Sequence, residues 1–271
     1  MDLGVTVRVH CQFAHYVTFV VYLKAMRLLT WNLERSTPRV QQAQLDLLAT
    51  LKSDIEDLTE PGRVSAFEGS DCSVVFSDPH RDNGESWVLI RGHPVRECEF
   101  DIPYDRMAAA ATARVGYTDL LIYGSVLPWR AGPSQASDIF DLPAKGVPSA
   151  AVYGAWLTAQ LRDIEKLTKR YPQHHLIWMG DFNVTVQPPH KYHLAAGSKM
   201  VIEAMRALGL RVVNANSPHH NPQLHTIDLI CVPLSFAKVV SDHRGNGKGD
   251  PKLSDHLLYY VDIPAPSQDE G

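Results

Sequence analysis

The sequence predicts an α+β or α/β domain over residues 26–264, and three observations lead there. Short apolar runs bounded by turn residues recur along the stretch and outnumber the segments with helical periodicity. The helical segments fall between strands, and no compositional break divides the chain. A length of 271 residues, 45% of them hydrophobic and 21% charged, fits one large domain that buries its own core.

Residues 1–25 are read as an N-terminal extension, either dispensable or the product of a mis-set start with Met26 as the natural one, and a genuine extra element is the alternative. Their apolar stretch Cys11–Leu23 follows Arg8 but no A-x-A-like site follows it, so a secretory signal is the less favoured reading. Arg27–Asn32 then reads as a buried strand, short and apolar with Thr and Trp. Ser36-Thr37-Pro38 opens a helix, with Thr as cap and Pro in the first turn. Val40, Ala43, Leu47, Leu48 and Leu51 lie on one face of it.

Asp54–Glu60 is the next strand and ends on a carboxylate. Ser73–Phe76 and Trp87–Arg91 are strands separated by the turn-rich Ser77–Glu85 with its Asn83-Gly84 pair. Asp119–Leu127 is a buried strand closed by Pro128, and Arg130–Pro148 a loop over one end of the sheet. Ser149–Arg170 is the clearest helix, with an apolar stripe of Tyr153, Leu157, Leu161, Ile164 and Leu167 and a stop at Pro172. Strand His175–Met179, helix Ser198–Leu208 and strands Arg211–Asn214, Thr226–Val232 and His256–Ile263 follow, and Ala265–Gly271 is a flexible, solvated tail.

Charge and cysteines narrow the function classes. The formal net charge is −4, which excludes coating nucleic acid by bulk charge but leaves room for a local basic groove. None of the four cysteines belongs to a C-x-x-C pair, so neither a zinc ribbon nor a redox motif nor a disulfide scaffold is expected, and a reducing, cytoplasmic location is. No apolar run approaches the ~18 residues of a membrane span. No stable membrane insertion is expected, and the chain is expected to be a monomer.

The unusual polar residues sit at strand ends. Asn32 ends the first strand and Glu60 the second; Asp181 and Asn183 follow a strand through Gly180; Asp228 lies between Ile227 and Leu229; Asp255 and His256 open the last strand. Each alone has an ordinary reading as a turn, cap or solvated residue. Together they are what a hard cation such as Mg²⁺ or Mn²⁺ requires, because a carboxylate in an apolar strand costs several kcal/mol unless it is paired or meets a metal.

The blocks Thr30–Asn32 (TWN), Leu58–Glu60 (LTE), Gly180–Asn183 (GDFN), Thr226–Pro233 (TIDLICVP) and Ser254–His256 (SDH), in this order, resemble the endonuclease/exonuclease/phosphatase superfamily, which includes deoxyribonuclease I. A second SDH, Ser241–His243, is set aside because a Gly-rich loop rather than an apolar strand follows it. The resemblance implies a four-layer α/β/β/α sandwich of two mixed β-sheets flanked by helices, with the site at one end. It also implies roles. Glu60 is the principal metal ligand with Asn32 its neighbour, and Asp255 completes the metal side. Asp181 orients or deprotonates water, and Asn183 holds a phosphate oxygen. His256 donates to the phosphate with Asp228 fixing its ring. Phosphoester hydrolysis independently needs a positioned water and neutralised phosphoryl oxygens.

The pattern departs from the family where Val126 stands at a usually polar position and where Leu229 replaces a frequent His; Tyr123 or Ser125 could substitute, but strand alternation sets both on the face opposite Val126. Tyr123, Trp129 and Arg130 are the further candidates for contact with substrate. Arg35, Arg91, Arg96, Arg130, Arg244, Lys248 and Lys252 lie in or beside predicted loops and could rim a nucleic-acid site. His174-His175, His219-His220 and His225 are read as surface or loop residues, since none has helical ligand spacing. The expected activity is that of a Mg²⁺- or Mn²⁺-dependent nuclease or phosphodiesterase. The alternatives are a phosphatase or lipid-headgroup phosphodiesterase of the same superfamily, and a non-catalytic binding module on the same fold.

Overall fold

A computed structural model describes residues 2–10, 16–67, 72–79, 85–92, 94–98, 107–128, 149–188, 194–236, 240–244 and 252–264, the first 24 residues and 240–244 by backbone alone. Two β-sheets pack face to face. The first contains β1 (Asp2–His10), β2 (Tyr16–Asn32), β3 (Ile55–Arg63), β4 (Ser73–Phe76), β5 (Glu85–Gly92), β12 (Val240–Arg244) and β13 (Leu258–Pro264), in the order β12-β13-β2-β3-β5-β4 with β1 paired to β2. The second contains β6 (Val95–Glu97), β7 (Ala108–Val115), β8 (Thr118–Val126), β9 (His175–Asp181), β10 (Leu210–Val212) and β11 (Asp228–Pro233), in the order β10-β11-β9-β8-β7-β6. Each sheet is mixed: β2 runs parallel to β3 and β8 to β9, while the other pairings are antiparallel.

Helix α1 (Pro38–Leu51) covers the outer face of the first sheet, and α2 (Ser149–Arg170) and α3 (Ala195–Ala207) the outer face of the second. The result is the four-layer sandwich. Strand alternation builds it. On β2, Leu29 and Trp31 point out and pack with Leu48 and Leu51 of α1, while Leu28, Thr30 and Asn32 point in toward the second sheet. Burying a leucine of this kind contributes ~1.5–3 kcal/mol. Pro38 opens α1 as predicted, whereas Thr37 at its N-cap makes no side-chain cap bond.

Two buried amides on α1 brace the loops beside the inward-facing polar residues. Gln41 Nε2 donates to the carbonyls of Pro61 and Arg63, both at 3.0 Å. Gln44 Nε2 donates to Leu33 O at 3.1 Å and to Leu253 O. One helix therefore ties down the segments that follow Asn32 and Glu60 and precede Ser254.

The strand limits differ from the sequence reading in instructive ways. β2 begins at Tyr16, not Arg27, and pairs with β13 from Ala25 onward. Strands β1, β6, β7 and β12 have no counterpart in the sequence reading. β7 opens on four alanines, which lack β propensity, and is held in place by eight residue pairs with β8. β11 starts at Asp228 because Thr226 Oγ1 accepts the Asp228 N–H at 3.0 Å in a local turn. Asp255 and His256 occupy a bend two residues ahead of β13 and do not open it. The segments expected as a loop over the sheet end, as the Asn83-Gly84 turn and as the terminal tail lie outside the described residues. Among the described residues, no helix is long and apolar enough to cross a membrane.

Candidate active site

The carboxyl ends of β2, β3 and β9 and the start of β11 meet at one end of the sandwich. Asp181 on β9 lies directly across from Asp228 on β11, so both carboxylates emerge on one face. The bend before β13 adds His256, whose Nδ1 sits 2.8 Å from Asp228 Oδ2. One ligand atom from each of Asp181, Asp228 and His256 lies within 4.8 Å of the others. From the opposite sheet, Asn32 Nδ2 donates to Asp181 Oδ2 at 3.1 Å and to Glu60 Oε1 at 3.2 Å. Its Oδ1 accepts the Glu34 N–H at 2.9 Å.

Glu60 reaches this cluster through a β-bulge. Simple alternation puts Thr59 inward and Glu60 outward, but the pairing of β3 with β5 shifts between Thr59 and Gly62, and Glu60 adopts φ 48°. Glu34 (φ 55°), Arg35 (φ 47°) and Asn183 (φ 52°) adopt the same left-handed conformation. For a non-glycine residue this costs ~1–2 kcal/mol, and it persists only where the surroundings hold it. Of the five such residues described, only Lys52, at the end of α1, lies outside the site.

The turn after β9 is held equally firmly. Gly180 has φ 137°, and a Cβ there would collide with the Ser125 carbonyl of β8. Asn183 N donates to Asp181 Oδ1 and Asn183 Nδ2 to Leu127 O, each at 2.9 Å. Tyr153 of α2 donates to Phe182 O at 2.8 Å. Ser254 Oγ donates to Asn32 O at 2.6 Å and accepts the His256 N–H at 3.0 Å, which joins the last block to the first. The other SDH copy, Ser241–His243, is on β12, the outermost strand of its sheet.

Burial sets the electrostatics. It pushes the Asp181 carboxyl up to about 7, with the charges of Asp228 and Glu60 adding to the rise and His256 opposing it. Burial disfavours the His256 imidazolium, but the charge and hydrogen bond of Asp228, with Asp181 and Asp255, outweigh it and raise its pKa to about 10. His256 is therefore an imidazolium at neutral pH. Its Nδ1 is committed to Asp228, which leaves Nε2 for a ligand. Nε2 lies 3.9 Å from Asp255 Oδ1, a half-exposed carboxylate at the rim.

The donor set fits a divalent cation. Buried carboxylates converge, Asp228 Oδ1 has no hydrogen-bond partner among the described residues, and the crowding that raises the Asp181 pKa is what a cation relieves. The oxygen-rich composition suits Mg²⁺ or Mn²⁺.

Other sequence candidates lie elsewhere. Tyr123 is not at the site: it is fully buried on the α2 side of the second sheet, edge-on to Trp178 with ring centroids 6.1 Å apart. Val126 pairs with Asp181 and is also fully buried. Ser125 accepts the Trp178 indole N–H at 2.8 Å. Trp129, Arg130 and Lys248 lie outside the described residues. Arg91 is buried against Glu56, Nε to Oε2 3.5 Å, because the alternation of β5 turns it away from any rim.

The sequence reading missed two features. His219, read as a surface residue, is buried with its ring centroid 6.4 Å from that of His256, and the exposed His220 stacks on it at 3.9 Å. Arg35 pairs with Glu60, Nε to Oε2 2.9 Å. The sequence offered Arg35 only as one of several cations in or beside loops, with nothing to pair it with Glu60.

No protein-family model matches the sequence, and comparison with curated protein sequences finds no match. Solved structures do match. A 3′-5′ exonuclease (NExo) from Neisseria meningitidis superposes with TM-score 0.64 at 18% identity over 89% of this chain and 100% of its own. An AP endonuclease from Archaeoglobus fulgidus gives 0.62 at 15% identity over 89% and 100%. The endonuclease domain of TRAS1, a telomere-specific non-LTR retrotransposon, gives 0.59 at 18% identity over 90% and 100%. The chain thus has the deoxyribonuclease I-like fold of the endonuclease/exonuclease/phosphatase proteins.

Proposed function

We propose that this protein is a divalent-metal-dependent phosphoester hydrolase, a nuclease or phosphodiesterase that directs water at phosphorus. The observation that carries the reading is the buried Asp181–Asp228–His256 cluster joined to Glu60 through Asn32. Glu60 with Asn32 would hold Mg²⁺ or Mn²⁺, completed by Asp255, and the bound cation would neutralise charge on the phosphoryl oxygens. The cation is assigned to this side because Asp228 already holds His256 Nδ1 at 2.8 Å.

Asp181 orients the attacking water and takes its proton, held in place by the Asn32 amide at 3.1 Å and the Asn183 N–H at 2.9 Å. His256 donates from Nε2 to the phosphate, and Asp228 keeps it charged and fixes its tautomer. Asn183 holds a second phosphate oxygen. Attack is in line, with no covalent enzyme intermediate. Similarity to structures named as an exonuclease, an AP endonuclease and a retrotransposon endonuclease supports nucleic acid as the substrate class.

The test is hydrolysis of a bis-aryl phosphodiester beside a mono-aryl phosphate, with Mg²⁺ or Mn²⁺ and with EDTA. Metal-dependent cleavage of the diester supports the proposal, and cleavage of the monoester alone moves the assignment to a phosphatase. If neither ester is cleaved under any condition, the fold serves as a binding module.

A further inference from the structure

The ion pair at Glu60 is a second feature of the same site, and the inference drawn from it rests on the reading of Glu60 as a metal ligand. Glu34 and Arg35 form a turn with two successive left-handed residues, at φ 55° and 47°, where glycine or asparagine is the usual occupant. Both side chains are tied to the site. Glu34 Oε2 accepts the Asp255 N–H at 2.9 Å. Arg35 N donates to Glu60 O at 2.9 Å, which carries the Arg35 side chain across to β3. There the guanidinium lies over the Trp87 ring, 4.2 Å from its centroid, and its Nε is 2.9 Å from Glu60 Oε2.

The two oxygens of Glu60 therefore face different partners. Oε1 is turned toward Asn32 and the Asp181 cluster, and Oε2 toward a fixed monovalent cation. Trp87 is nearly buried, and stacking on it limits the rotamers open to Arg35. A glycine in this turn would relieve the backbone strain and lose the cation, so the turn retains a charge at the expense of its conformation.

We propose that Arg35 is the resident counter-ion of Glu60: a positioning residue that competes with the divalent cation for this carboxylate and, held over Trp87, presents the rest of its guanidinium to a phosphate of the substrate. Two consequences separate this from a merely structural role. Removing the charge strengthens binding of a divalent ion to the free protein, because a like charge has left its neighbourhood. The same removal weakens capture of the phosphodiester, because the guanidinium no longer meets it.

The experiment is calorimetric titration of the full chain with Mn²⁺ alone, for wild type, R35M, R35K and E60Q, paired with kcat and KM on a bis-aryl phosphodiester. Methionine keeps an apolar stem over Trp87, and circular dichroism confirms the fold of each variant. R35M is expected to bind Mn²⁺ about tenfold more tightly than wild type while its KM rises. R35K, which keeps the charge without the planar stack, is expected to fall between them. Mn²⁺ affinity in R35M equal to or weaker than in wild type overturns the proposal, as does tighter binding with unchanged KM. If wild type and E60Q bind Mn²⁺ alike, the assignment of Glu60 as a metal ligand fails instead, and the two failures are told apart.

Discussion

At the end of the second sheet away from the cluster, β7 turns into β8 through Gly116, whose φ is 61° in open space, and the neighbouring Arg114–Asp119 pair is 3.7 Å apart and solvent-exposed. At the other end, Gly62 and Gly180 take positive φ too, but so do the non-glycines Glu34, Arg35, Glu60 and Asn183, and carboxylates are buried. The first end obeys local preference: glycine where the backbone demands it, charges in water. The second departs from it on both counts. Strain and desolvation are tolerated where side-chain identity matters more than backbone comfort, and this marks the end where the chemistry is placed.

The largest break in this contrast should come from activity. Asp181→Asn and His256→Ala are each expected to lower turnover by roughly 10²–10⁴-fold, while Asp119→Asn at the opposite end leaves it unchanged. Initial rates on the diester measure all three.

A pH series sharpens the contrast next. The folded pKa of His256 is raised from 6.5 to about 10, so its stabilisation is fully present below pH 6.5 and is lost as pH climbs toward 10. Asp228→Asn removes the main cause, so the variant should lose less stability over this window, and NMR titration should find its imidazole deprotonating at lower pH. Asp181 shifts stability in the same direction at lower pH, through a penalty on its charged form rather than a gain for it. Its folded carboxyl pKa is raised from 3.8 to about 7, so the folded state binds more protons and metal-free stability falls as pH rises through that interval. Asp181→Asn should flatten this fall and raise Tm at pH 8 in EDTA by a few degrees, at about 2–4 °C per kcal/mol.

The smallest effect belongs to the ordinary end. Gly116→Ala should cost about 1 kcal/mol, the penalty of an alanine at positive φ, with no change in rate. Denaturant midpoints read it directly.

The resemblance of five ordered blocks to a known family implied the convergence of Asn32, Asp181, Asn183, Asp228 and His256, which one by one read as ordinary turn, cap or solvated residues. It did not show how Glu60 turns inward, since a bulge arises from the pairing of β3 with β5 and leaves no local pattern. Glu34, and the pairing of the loop cation Arg35 with Glu60, escaped for a related reason: residues with no glycine-like preference give no hint of a left-handed turn. His219 reaches His256 through the fold of residues 217–226, where Pro218 bridges His225. Strand alternation already set Tyr123 opposite Val126, and the structure buries it on that face against Trp178, away from the cluster.

The most direct test of the central claim is nicking of supercoiled plasmid by the purified protein in Mg²⁺, with EDTA and Asp181→Asn run alongside. The account predicts open-circular product from the wild type in Mg²⁺ and none from either control. Intact plasmid in all lanes, or equal nicking by wild type and Asp181→Asn, would contradict it.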